Sequence, residues 1–156
     1  MKNDRSKTLL LILSLGGLAF SGYLSAVKLF TKTCAFNESC PYFLGYPACY
    51  YGFTMYLLLT IFSALMVTDK LEIKKSLMSI GVVSFLGVIF AGYFTFKELP
   101  VMLEKGLKAY ILGLPTCALG LIFYTAIFLI SVIHLRTIEK IVRFDQVANE
   151  KNTVQN

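Results

Sequence analysis

Apolar residues run along this chain in four long blocks, at roughly 8–30, 48–68, 77–96 and 110–134, with short polar segments between them. A helix that crosses the hydrocarbon of a bilayer needs about 20 mainly apolar residues, and each block is of that order. The pattern predicts an all-α fold: an integral membrane four-helix bundle, one transmembrane domain over residues 1–156. The polar segments leave no room for a separate soluble domain. The opening Met1-Lys2-Asn3-Asp4-Arg5-Ser6-Lys7 looks like the charged start of a signal peptide. The apolar run from Thr8 to Phe30 is longer than the usual about 7–15 residues of such a peptide, so a retained span is expected.

The chain also repeats itself. Gly45-Tyr46-Pro47-Ala48-Cys49-Tyr50-Tyr51-Gly52, followed by Tyr56, matches Gly113-Leu114-Pro115-Thr116-Cys117-Ala118-Leu119-Gly120, followed by Tyr124. Both read G-x-P-x-C-x-x-G-x-x-x-Y. Upstream, Phe20-Ser21-Gly22-Tyr23 is echoed by Phe90-Ala91-Gly92-Tyr93. The offsets are 68 and 70, which makes each half, about 8–68 and 77–134, one helical hairpin. Two spans separate the copies, so they share one orientation and a pseudo-twofold axis along the membrane normal is expected.

Each motif reads as the start of a helix. Glycine permits an unusual turn, and proline suits the first helical turn, where its missing N–H costs nothing. The cysteine then falls in the first turn, where unpaired N–H groups and the positive end of the helix dipole favour a thiolate. Cys49, Gly52 and Tyr56 share one helical face, as do Cys117, Gly120 and Tyr124. The glycines leave room for close helix approach or for a flat ligand, and the tyrosines offer it a phenol. Ordinary helix packing by small residues and interfacial tyrosine is the alternative for these four positions.

Composition and charge fix the setting. The chain is 56% hydrophobic and carries a net charge of +6. Ten of its basic residues flank the spans on the side of the termini, among them Lys2, Arg5, Lys7, Lys70 and Arg136, and five lie on the other side. The positive-inside rule then predicts cytoplasmic termini. The basic balance reads as topology and contact with anionic membrane lipids, and the sequence carries no nucleic-acid signature. All four cysteines, Cys34, Cys40, Cys49 and Cys117, fall at the outer boundary, where disulfides form. Four cysteines allow three complete pairings. Cys34 and Cys40 form a C-x5-C pair able to close a small loop or to shuttle electrons. The spacing lacks the C-x2–4-C of zinc sites, and no metal is expected. The one histidine, His134, lies at the cytoplasmic end of the last span and reads as interfacial.

These features resemble the vitamin K epoxide reductase family, over about Thr8 to Leu135: four spans, cytoplasmic termini, an outer loop with a cysteine pair, and a cysteine opening the fourth span. Cys34 and Cys40 match the loop pair of bacterial relatives. Gly45, Pro47, Gly52 and Tyr56 match their second span, and Leu114-Pro115-Thr116-Cys117 lies on their C-P-x-C frame. The resemblance implies a thiol oxidoreductase of the bacterial cytoplasmic membrane. Its acceptor would be a membrane quinone (menaquinone or ubiquinone), and its partner an exported thioredoxin-like protein. Three positions depart from the family. Leu114 replaces the first active-site cysteine, Ala48 stands where some members carry a substrate-binding asparagine, and the segment after Cys40 is short. Cys49 is an addition. The resulting expectation is that Cys49 and Cys117 together replace the missing C-x-x-C, with Cys34–Cys40 as the shuttle. The other reading is a non-catalytic membrane scaffold with structural disulfides.

Overall fold

The structure, a computed structural model, describes residues 2–31, 42–105 and 116–154. Helix α1 runs Lys2–Thr31, α2 Ala48–Val67, α3 Ile73–Lys105 and α4 Thr116–Val154. A two-stranded hairpin, β1 (Tyr42–Phe43) and β2 (Tyr46–Pro47), precedes α2. All four helices contain a stretch long and apolar enough to cross a membrane. The fold is an all-α, integral membrane four-helix bundle.

The helices pack as two antiparallel hairpins, α1 on α2 and α3 on α4, joined by further contacts of α2 with α3 and α1 with α4. The two hairpins use corresponding residues. Gly17 of α1 receives the ring of Tyr56, and Gly87 of α3 receives the ring of Tyr124. A methyl group at either glycine would overlap that ring. Gly22 faces Phe53 at 3.4 Å, and its counterpart Gly92 faces Leu121 at 3.8 Å, both measured from an ideal Cβ. The repeat seen in the sequence is therefore a repeat of packing. Both hairpins point the same way, so one end of the bundle carries Cys49 and Cys117 and the other carries the two termini.

The interior is a thin apolar column of Leu10, Leu59, Leu77, Ile80 and Ile127 around the two tyrosines. Serines are buried with it, and several are satisfied within their own helix. Ser21 donates to the Gly17 carbonyl at 2.8 Å and Ser84 to the Ile80 carbonyl at 2.7 Å. Ser131 crosses between helices to the Leu77 carbonyl, also at 2.7 Å. In a lipid setting small polar groups turn inward, where a carbonyl can take their proton. Large apolar residues such as Ile12, Val82, Ile89, Ile122 and Ile133 are exposed instead, as suits helices surrounded by acyl chains. At the terminal end, Lys7 is buried and pairs with Asp69 at 2.7 Å, closing the open end of the α1–α2 hairpin.

The helices outrun the apolar blocks. α1 begins at Lys2, α3 begins at Ile73 and continues through Pro100 to Lys105, and α4 continues to Val154. The added stretches are polar but rich in Lys, Glu and Arg, which favour helix once a turn already exists to extend. At 39 residues, α4 is about 58 Å long, well beyond the about 30 Å of hydrocarbon.

Candidate functional site

The cysteine end of the bundle is built from two helix starts. The α1–α2 connection enters through the short hairpin, in which Tyr42 pairs with Pro47 and Phe43 with Tyr46. Its two turn residues, Leu44 and Gly45, both have positive φ, 49° and 87°. This two-residue turn with both φ values positive matches the twist of the flanking strands. Glycine at position 45 thus answers a real backbone demand. Phe43 anchors the hairpin by setting its ring edge-on against Tyr51 and Phe90, each 5.5 Å away between centroids.

Pro47 is the residue before the helix, with φ −60° and ψ 138°, one position earlier than the first-turn place expected from the sequence. Its fixed φ suits that role, and it is followed directly by Ala48 and Cys49. Cys49 is therefore the second residue of α2, and Cys117 is the second residue of α4. Both lie in a first turn, as expected, where the helix dipole presents its positive end. Both are half-buried thiols, and no disulfide joins them. The hydroxyl of Ser25, from α1, lies against Cys49 and donates to its carbonyl at 3.1 Å.

Below the thiols, Tyr56 and Tyr124 meet across the bundle. Their rings stack with centroids 4.3 Å apart and an interplanar angle of 15°. Tyr56 Oη donates to the carbonyl of Gly120 at 3.0 Å, and Tyr124 Oη donates to the carbonyl of Gly52 at 3.2 Å. Each tyrosine thus grips the turn that lies directly below the other helix's cysteine. Gly52 and Gly120 themselves face open space, since nothing lies within 4 Å of the point where a Cβ would stand.

The structure brings four of the residues singled out in the sequence into contact, Gly52 and Tyr56 with Gly120 and Tyr124, and sets Cys49 and Cys117 one turn from those glycines on α2 and α4. Cys34 and Cys40, and the Leu114 position of the incomplete C-x-x-C, lie outside the described residues. His134 is half-buried on α4, toward the terminal end. Sequence reasoning did not single out Ser25, whose contact with Cys49 depends on how α1 packs on α2.

No family model matches this chain, and no curated protein matches it.

Proposed function

We propose that this chain is a quinone-linked thiol oxidoreductase of the vitamin K epoxide reductase type. The observation that carries the reading is the paired placement of Cys49 and Cys117. Each opens a helix, both stand at one depth over the stacked tyrosines, and open space adjoins the glycine one turn below each. First-turn cysteines have the electrostatic setting of reactive thiols. In this reading the quinone ring stands in the open space beside those glycines. The tyrosine hydroxyls are already donating to carbonyls, but a phenol oxygen can still accept a hydrogen bond from a quinol.

In this reading both termini are cytoplasmic and the thiols face the outer, oxidising side, because ten basic residues flank the terminal side. Two thiols, Cys49 and Cys117, give up two electrons and two protons and become one disulfide. The quinone takes both electrons and both protons and becomes the quinol. Thiols of an exported thioredoxin-like protein, passed through Cys34 and Cys40, then reduce that disulfide by thiolate attack on a sulfur.

The test is reconstitution of the full chain in lipid vesicles containing menaquinone, with a dithiol as electron donor. Quinol formation is expected, and Cys49→Ser and Cys117→Ser should each reduce it to background while the protein still purifies as a folded bundle. A scaffold would behave otherwise. The Tyr56 and Tyr124 hydrogen bonds to backbone favour a structural role for that pair, and on the scaffold reading no quinol forms and neither serine variant changes anything but stability.

A further inference from the structure

Phe43 belongs to the connection inside the first hairpin, yet its ring packs on the second. It meets Tyr51, in the first turn of α2, edge-on at 5.5 Å. It meets Phe90 and Phe94 of α3 in the same way, at 5.5 and 6.3 Å between centroids. Tyr51 and Phe90 also meet, at 5.7 Å, as do Phe90 and Phe94 at 5.0 Å. Phe94 is buried in this cluster, 4% exposed. A shift of 68 carries Phe43 onto Ile111 and Tyr51 onto Leu119, and a shift of 70 carries Phe94 back onto Leu24. The equivalents are aliphatic, and Leu24 is half-buried. The duplication therefore does not account for the aromatic cluster. Edge-to-face rings hold a preferred distance and angle, so Phe43 is a wedge of fixed width between α2 and α3.

Each side of the wedge leads to one thiol. Cys49 lies two residues before Tyr51 and two after Pro47, which pairs with Tyr42 beside Phe43. From α1, the Ser25 hydroxyl holds the Cys49 carbonyl. Cys117 lies one turn before Leu121, which faces Gly92 of α3, midway between Phe90 and Phe94 in the sequence. Packing is thus continuous from Cys49 through Phe43 to α3 and on to the start of α4. The tyrosine stack ties the same two helices together about 10 Å further down. Resting on the oxidoreductase reading, we propose that Phe43 is a positioning residue that sets the separation of Cys49 and Cys117. A disulfide needs Cα atoms within about 7 Å, so that separation governs how readily the two sulfurs join. The joining step releases two protons and two electrons, and the quinone takes both. Phe43 touches none of the reacting atoms.

The test uses the full-length protein in detergent micelles, with Cys34→Ser and Cys40→Ser so that only these two thiols remain. Nitroxide labels on Cys49 and Cys117 report their separation by electron paramagnetic resonance. One narrow distribution is expected. Phe43→Ala should broaden it, or shift it by more than about 2 Å, the width of the Cα window that a disulfide tolerates. Phe43→Tyr keeps the ring and should restore the original distribution. In the unlabelled protein, glutathione disulfide takes the two electrons and becomes two glutathione thiols, and mass spectrometry follows the Cys49–Cys117 bridge. Its formation should slow at least about tenfold in Phe43→Ala and stay within about twofold in Phe43→Tyr. Phe43→Leu, a milder change, keeps the test decisive if Phe43→Ala does not fold. A broad distribution in the wild type, or a spacing indifferent to both smaller side chains, would overturn the proposal. The labels need neither quinone nor bridge. A spacing that depends on Phe43 in a protein that makes no quinol would sink the oxidoreductase reading and leave the wedge standing. Quinol formation with a spacing indifferent to Phe43 would do the reverse.

Discussion

Tyr56 of α2 and Tyr124 of α4 lie face to face, 4.3 Å apart, and each hydrogen-bonds the backbone of the other's helix. The stack and the two reciprocal bonds tie together helices that belong to different hairpins. Tyr56→Phe keeps the ring and removes one bond. Thermal unfolding in detergent should show a loss of about 1 kcal/mol, the usual net worth of one such bond. Tyr124→Phe should cost a similar amount, because the two bonds are equivalent by the repeat. A large loss from one variant and none from the other would contradict that equivalence.

The glycines divide into two kinds, and alanine substitutions should separate them. At Gly17 and Gly87 a methyl group would overlap a buried tyrosine ring, so Gly17→Ala and Gly87→Ala are each expected to destabilise by about 1–3 kcal/mol. At Gly52 and Gly120 the space is open, and alanine favours helix over glycine. Gly52→Ala and Gly120→Ala should therefore leave stability equal or slightly higher. If a quinone occupies that space, the same two substitutions raise its KM. Unfolding midpoints and quinone titrations on the four variants measure both effects.

The terminal end offers a charge test. Lys7 is buried, its partner Asp69 is largely exposed, and Asp69 sits at φ 51°. Asp69→Asn keeps a side chain that tolerates this left-handed backbone and removes only the charge. It should cost about 1 kcal/mol, since it leaves the lysine unpaired in a poorly hydrated place. Lys7→Met removes the buried charge altogether and should cost less than Asp69→Asn. The reverse order in chemical unfolding would mean that the pair is worth more than the burial of Lys7.

The hairpins should also stand as separable parts. Each holds its own glycine–tyrosine seam, and what joins them is the tyrosine pair with the α2–α3 and α1–α4 contacts. Residues 1–70 and 71–156, coexpressed as two chains with a tag on one, are expected to copurify. Tyr56→Ala in the first fragment should weaken the association, which pull-down yields would show.

The elements were legible from hydrophobic blocks because length and apolar content alone decide what can cross a bilayer. The repeat was legible because five residues recur at fixed spacing, and it placed Cys49 and Cys117 at matching helix starts. Helix ends were less legible. Pro100 and the charged residues around it look like a stop, yet α3 runs on to Lys105, because a formed helix is extended cheaply by good helix formers. Spacing put Tyr56 on the face of Cys49 but left open where its hydroxyl goes. That depends on the partner helix 64 residues away, whose Gly120 carbonyl takes the proton. The two-residue strands before α2 were not foreseen either, since four residues around a tight turn leave almost no periodicity to detect.

A duplicated hairpin on a single chain has a freedom that a self-associating one lacks. In a homodimer with true twofold symmetry, any residue of one half is repeated in the other. Here the shift of 70 residues joins Lys28 to Glu98, two positions that can mutate independently. The architecture keeps the geometric match of a dimer while letting its two halves diverge in sequence.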